Sequence, residues 1–178
     1  AAALLPDGST DETMLAGELG LDGSLRPIHG ALSFALLAKR LGVQRLILPE
    51  QNADEACLVE GLEVLPAKHL LEVIKHFRDE APLEPRAHRQ ILAGEKPIAL
   101  ADFSSIRGLG QARRALEIAA AGGHNVLMQG PPGSGKTMLA RAFPSILPML
   151  TTEEALEATR IHSVAGLLPS DGVVRSRP

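Results

Sequence analysis

Gly130-Pro131-Pro132-Gly133-Ser134-Gly135-Lys136-Thr137 is the stretch that decides how this 178-residue chain is read. It meets the phosphate-binding pattern G-x-x-x-x-G-K-[ST] at every fixed position. Before it, Asn125-Val126-Leu127-Met128 predicts a short buried strand. After it, Met138, Leu139, Ala142 and Phe143 recur at helical spacing, so the order strand, loop, helix is the one the pattern requires. Each residue type has a physical task. The glycines permit positive φ and close backbone approach, so that successive N–H groups point inward at phosphate oxygens, helped by the positive end of the following helix. Lys136 supplies a point charge for the β- and γ-phosphates, and the Thr137 hydroxyl a ligand for Mg²⁺. The candidate cofactor-binding residues are therefore Gly130, Pro131, Pro132, Gly133, Ser134, Gly135, Lys136, Thr137 and Met138. Thr137 is the candidate metal ligand, and the cofactors are ATP or ADP with Mg²⁺.

Working outward, the composition is that of an ordinary globular protein, 45% hydrophobic and 22% charged. No apolar stretch is long enough to cross a bilayer, and Ala1-Ala2-Ala3-Leu4-Leu5-Pro6 lacks a basic leader region, so a cytoplasmic protein with no membrane partner is expected. Cys57 is the single cysteine, which excludes an intrachain disulfide and reads as a core position. The net charge of −3 conceals an asymmetry: residues 1–80 carry 7 Lys/Arg against 13 Asp/Glu, and residues 81–178 carry 11 against 8. A basic second half is compatible with nucleic acid, yet the chain has no Trp, no Tyr and four Phe, and so no platform for stacking bases. The sequence opens on Ala1 and ends at Arg175-Ser176-Arg177-Pro178, and reads as a piece of a longer protein.

In the first half, Gly17–Leu21 and Ser24–Ile28 flank Asp22-Gly23, a dipeptide that favours a two-residue hairpin turn. A helix is expected over 31–41, a strand over 45–48, a short helix over 53–60, a strand over 62–65 and a last helix over 67–78 with Leu70, Ile74 and Phe77 as its stripe. Strands alternating with helices favour a sheet with helices packed on it. His29, His69 and His76 lack metal-ligand spacing and read as surface or capping residues. Leu46-Ile47-Leu48-Pro49-Glu50 imitates an acid-ended Mg²⁺-holding strand, but proline interrupts it and it precedes the phosphate loop by too far.

Periodicity breaks over 81–100, where Pro82, Pro85 and Pro97 mark a linker. A helix over 109–121 follows, with Leu109, Ala112, Leu116 and Ala119/Ala120 on its apolar face and Arg113 paired with Glu117 on the other. Of the acids after the loop, Glu153, Glu154 and Glu157 fall on a helix opened by Thr151/Thr152, and Asp171 falls in a Pro-Ser-Asp-Gly turn. Arg160 and His162 read as structural.

Two resemblances rest on these residues. Gly17 to Gly30, followed by Leu48-Pro49-Glu50-Gln51-Asn52, resembles the later part of the Lon proteolytic domain. This implies a Lon-like (ribosomal protein S5 domain 2-type) α/β fold. In Lon-type peptidases the following helix supplies a lysine that activates a serine; here it reads Ala31-Leu32-Ser33-Phe34 with no lysine before Lys39, which implies an assembly module without peptidase activity. Asp102 to Thr137 resembles the start of an AAA+ module, with Ile106-Arg107-Gly108 where such proteins cover adenine. Ala115 to Asn125, the phosphate loop, Met138-Leu139-Ala140-Arg141 and Thr159 to Gly166 are similar to the magnesium-chelatase-like AAA+ ATPases of the ComM/YifB type, which join a Lon-like domain to a chelatase-subunit-I-like ATPase.

The resemblance implies an α/β chain with a Lon-like domain over 1–80, incomplete at its start, a linker over 81–100, and the N-terminal portion of a P-loop AAA+ domain over 101–178. It further implies a ring-forming, hexameric ATPase motor acting on DNA in competence or recombination. The Walker B acid, sensors and arginine finger of such a motor are not in this sequence, so no catalytic residue is assigned and hydrolysis is not expected of the chain alone. An ATP-dependent protein remodeller or metal-chelatase-type chaperone, and a nucleotide-stabilised interaction module, remain as alternatives.

Overall fold

The computed structural model describes residues 5, 8, 10–91, 101–175 and 177. Two compact units emerge from it, Ala1–Ile91 with Leu156–Val174, and Leu92–Ala155 with Arg175–Pro178. The second part of the expected linker, from residue 92 to residue 100, lies outside the described residues. Its first part, 81–91, belongs to the first unit, where Arg86 forms an antiparallel bridge to Val64.

The first unit is built on a parallel sheet of three strands, β1 (Thr13–Leu15), β4 (Arg45–Pro49) and β5 (Glu63–Ala67), in the order β1-β4-β5. Thr13 pairs with Arg45, and Arg45 with Glu63, which sets the register across the sheet. The alternation of a strand sends Leu46, Leu48 and Val64 to one face and Ile47, Leu65 and Ala67 to the other. On the first face lie α1 (Ala31–Arg40), burying Leu32 and Ala35, and α2 (Ala53–Ala56) with Cys57, Leu58 and Val59. On the second lies α3 (Leu70–Phe77) through Val73 and Phe77. The expected stripe of α3 is thereby shifted: Val73 takes the buried place, and Leu70 is 38% exposed.

The hairpin forms as β2 (Glu18–Leu19) against β3 (Leu25–Arg26), but its connection is longer than the two-residue turn expected of Asp22-Gly23. Gly20 N–H donates to Ser24 C=O at 2.8 Å, leaving a three-residue loop in which Gly23 N–H bonds back to Gly20 C=O. A two-residue primed turn needs positive φ at both central residues, whereas here Gly23 alone takes it, at 86°. The Asp22 carboxylate accepts from the N–H and hydroxyl of Ser24, which holds its carboxyl below the usual value, the hydroxyl contact being the larger cause.

Local hydrogen bonds account for two of the three histidines. His69 caps α3, its Nδ1 accepting from Leu71 N–H, and His76 Nδ1 accepts from Leu83 N–H. Cys57 is a core residue, 2% exposed, whose thiol is pushed up to about 11 by burial and secondarily by the Asp54 carboxylate. The second half of α6 (Thr152–Ala165) also belongs to this unit. There Glu55, only 8% exposed, accepts from Leu32 N–H at 2.7 Å and from the Ser163 hydroxyl, and so caps α1, whose own N-cap Gly30 offers no side chain.

The second unit packs α4 (Gly110–Gly122) and α5 (Lys136–Ala142) around Phe103, Ile106, Leu116, Leu139 and Ala142. The strand expected over Asn125–Met128 is not formed. A strand exists by pairing its N–H and C=O groups with a neighbour, and among the described residues none lies beside this segment. Leu127 is accordingly 91% exposed, while Met128 leans on the apolar cluster. The expected Arg113–Glu117 pair is replaced by Arg114 Nη1–Glu117 Oε2 at 3.1 Å. Arg113 instead lies over the Phe103 ring, 5.6 Å from its centre, because its helical position faces the cluster. No described helix is long and apolar enough to cross a membrane.

Candidate functional site: the loop before α5

Glycines turn the chain between Gly130 and α5. Gly133 and Gly135 adopt φ of 78° and 84°, values that any other residue reaches only with strain. The turn is then tied by short internal bonds. Ser134 Oγ donates to Pro131 C=O at 2.9 Å. Lys136 Nζ folds back over the loop, donating to Gly130 C=O and Pro131 C=O at 2.8 Å each and to Ser134 Oγ at 3.1 Å. All three acceptors are neutral. The N–H groups of Lys136, Thr137 and Met138, in the first turn of α5, belong to the set that every helix start leaves without intrahelical partners.

Of the nine residues assigned from the sequence, the fold brings Gly130, Pro131, Ser134 and Lys136 into one hydrogen-bonded cluster. Pro132, Gly133, Thr137 and Met138 are exposed, and Gly135 is half-buried. Thr137 and Met138 line a second recess with Ala101 and Arg141, so the expected metal ligand stands beside the Lys136 cluster and outside its bonds. An apolar cavity of about 380 Å³ adjoins the loop. Lys136, Ser134 and Gly130 form its polar end, and Leu109, Ala112, Leu116, Val126 and Leu139 its walls.

One residue of this site escaped the sequence reading as a site residue. Ile106, placed there over the nucleotide base, is 2% exposed within the core cluster. Leu109 is the residue that reaches the loop, its Cδ1 lying 3.0 Å from where a side chain on Gly135 would begin. Its backbone sits at φ 53°, a left-handed conformation that ends one turn and opens α4, and its place after Gly108 was the available signal.

The acids and bases considered for catalysis lie elsewhere. Glu154 closes a capping box with Thr151, its carboxylate accepting from Thr151 N–H at 2.9 Å and its N–H donating to the Thr151 hydroxyl. The Thr151 N–H, and next the Arg177 guanidinium at 2.8 Å, hold the Glu154 carboxyl below its usual range. Arg160 meets Glu157 at 3.7 Å, His162 Nδ1 lies 3.3 Å from Leu167 C=O, and Asp171 sits in a turn closed by Gly172 N–H to Pro169 C=O. Among the described residues no group of three or more His, Cys, Asp or Glu side chains is placed to hold a metal.

The glycine-turned loop with its inward lysine lies in one of two stretches that match family models. Residues 102–178 match the family described as magnesium chelatase, subunit ChlI, and residues 2–52 match subunit ChlI of Mg-chelatase. The chain belongs to the magnesium-chelatase-like family. Within it, the uncharacterized protein YifB of Escherichia coli is 39% identical over 179 residues, covering 100% of this chain and 34% of its own length. The competence protein ComM of Haemophilus influenzae is 39% identical over 149 residues, 83% of this chain and 29% of its own. A peroxisomal Lon protease homologue of rice is 37% identical over 82 residues, 43% of this chain and 9% of its own. The chain thus spans about a third of the length of the YifB and ComM relatives.

Proposed function

We infer that the loop at 130–137 binds the phosphates of ATP or ADP with Mg²⁺, and that the longer protein is a ring-forming, ATP-driven motor acting on DNA. The observation that carries the first part is the Lys136 ammonium, held over a glycine-turned loop by neutral oxygens alone. Phosphate oxygens are anionic and attract the ammonium by opposite charge as well as by hydrogen bonding, so a bound polyphosphate displaces the neutral oxygens favourably. The residues present fit that ligand. Gly130 keeps the mouth narrow but clear, since a Cβ there would come within 3.2 Å of Ser134 Oγ. Thr137 supplies the hydroxyl for Mg²⁺, and the adjoining 380 Å³ cavity is within the usual range of small-molecule sites. Bound Mg²⁺ supplies charge neutralisation between the phosphates. Of the acids after the loop, Glu154 closes a cap, Glu157 meets Arg160 and Asp171 sits in a turn, which supports binding without turnover by this chain.

The DNA part of the reading draws support from the competence protein among the relatives. For the first unit, an assembly role in a Lon-like domain is supported by α1, which carries Ser33 and Phe34 in its first turn and has its lysine, Lys39, exposed at the far end. Titration of the chain with fluorescent ADP in Mg²⁺ tests the binding. Affinity is expected to fall in the order ATP and ADP, then AMP, then adenosine, with negligible hydrolysis. Equal affinity for adenosine and ADP refutes the phosphate cradle, and rapid turnover refutes the missing hydrolytic set. ATP-dependent strand displacement by the longer protein tests the motor; ATPase activity indifferent to DNA refutes that part and leaves remodelling of a partner protein.

A further inference from the structure

In the first unit, α6 packs Leu156 on the core but also turns polar residues inward and apolar ones outward. Thr159 is 0% and Ser163 2% exposed, whereas Ile161 and Val164 are 60% and 61% exposed. The polar side is committed inward, because Ser163 donates to Glu55 and the Thr159 hydroxyl accepts from Val174 N–H at 2.9 Å. The apolar side is left facing out. The adjacent helix α1 buries Leu32, Ala35 and Ala38 but leaves Leu37 43% exposed, and Leu41 just beyond its end 63%. The two helices meet at Gly30, whose N–H donates to Ser163 C=O and where a Cβ would come within 3.2 Å of Val164 Cγ2. From that contact opens a groove of about 470 Å³ with Leu36, Leu37, Ile161 and Val164 along it and Arg40 and Arg160 beside them.

The charge of the groove is specific to it. No carboxylate is among its lining residues. Arg40 forms no ion pair with another described residue, and the 3.7 Å contact of Arg160 with Glu157 is solvated on both sides, a kind that contributes little. Residues 1–80 as a whole carry 13 acids against 7 Lys/Arg, so the two guanidiniums mark where an acidic segment finds complementary charge on an otherwise repelling surface. The lining runs from Ser33 to Arg40, about two helical turns, the span over which an amphipathic helix places anchors at i, i+3 or i+4, and i+7. We propose that the groove between α1 and α6 binds an acidic amphipathic helix of a partner protein, its aliphatic side chains on Leu37, Ile161 and Val164 and its carboxylates on Arg40 and Arg160.

The test is a fluorescence-polarisation titration of the 178-residue chain with a labelled synthetic helical peptide of about four turns, bearing Leu on one face and Glu beside it. A second peptide with Lys for Glu serves as its counterpart. Saturable binding of the Glu peptide is expected, weakened about tenfold or more by Arg40→Glu and by Arg160→Glu, with the Lys peptide gaining affinity for the same variants. Ile161→Glu abolishes binding of both peptides, and circular dichroism confirms that each exposed-site variant keeps its fold. Absent saturation, equal affinity for the two peptides or indifference to the arginine variants overturns the proposal. A dimer in sedimentation that dissociates with Ile161→Glu overturns it as well, since a second copy then covers the groove.

Discussion

Replacing Lys136 by alanine isolates the charge on which the binding reading depends. In the free chain its ammonium makes three contacts, at 2.8, 2.8 and 3.1 Å, all to neutral oxygens of the loop itself. A hydrogen bond to a charged group contributes about 1.5–3 kcal/mol, and the bonds of the ammonium to neutral loop oxygens lack the added attraction of an opposite charge. Nucleotide binding exchanges the weaker set for the stronger, while alanine forgoes both. The variant is therefore expected to lose about 1.5–3 kcal/mol of affinity, a rise in Kd of about one to two powers of ten. Thermal stability changes little, within about 0.5–1 kcal/mol, because the site is on the surface. Lys136→Arg keeps the charge but offers a planar fork in place of a compact ammonium, and recovers only part of the loss. The assay is a titration with fluorescent ADP at fixed Mg²⁺ and salt, with far-UV circular dichroism melts in parallel. An unchanged Kd with an intact fold refutes the assigned role.

Two further predictions concern what holds the helices in place. Glu55→Ala strips the acceptor from two buried donors, Leu32 N–H and the Ser163 hydroxyl, at about 1–3 kcal/mol for each, whereas Ser163→Ala removes a single bond of about 1 kcal/mol. The double variant is expected to fall short of the sum by about 1 kcal/mol in urea unfolding followed by circular dichroism, and strict additivity refutes the coupling. For Glu154, the folded carboxyl titrates below its ordinary 4.5 because of Thr151 N–H and then Arg177. The unfolded chain takes up the proton first, so this contribution is complete above pH 4.5 and is lost as pH falls through the folded value. Glu154→Gln should flatten the acid limb of the melting profile, and parallel limbs in variant and parent refute the assignment.

What the sequence made legible divides by range. The helices α1 and α4 follow from apolar periodicity, α6 from the cap at Thr151, and a sheet with helices packed on it from the alternation of strands with helices, all properties of residues close in sequence. The hairpin was legible as a hairpin but not in its loop, because Asp22 spends its carboxylate on Ser24 and leaves positive φ to Gly23 alone. Glu55 reads in sequence as one more acid of a short helix; its partner Ser163 lies 108 residues away, and no local spacing announces such a bond. Arg113 and Arg114 are equally placed to pair with Glu117 by spacing, and only the position of Phe103 decides between them.

The phosphate loop shows why one part of a motif can form while another does not. Its strand over 125–128 depends on a neighbouring strand, and none stands beside it among the described residues. Its cradle depends on bonds that close within six residues, from Lys136 and Ser134 back to Gly130 and Pro131. Those bonds are complete whatever lies beyond. The loop is therefore readable from eight residues and takes its shape here without the sheet. A strand beside 125–128 would order that segment, which forms one wall of the cavity through Val126, Leu127 and Met128. On the proposed reading the two contributions predict different sensitivities: phosphates would be gripped by local geometry, while discrimination of the base would depend on walls that a paired strand sets. Affinity measured on this chain should follow the number of phosphates more steeply than the identity of the base.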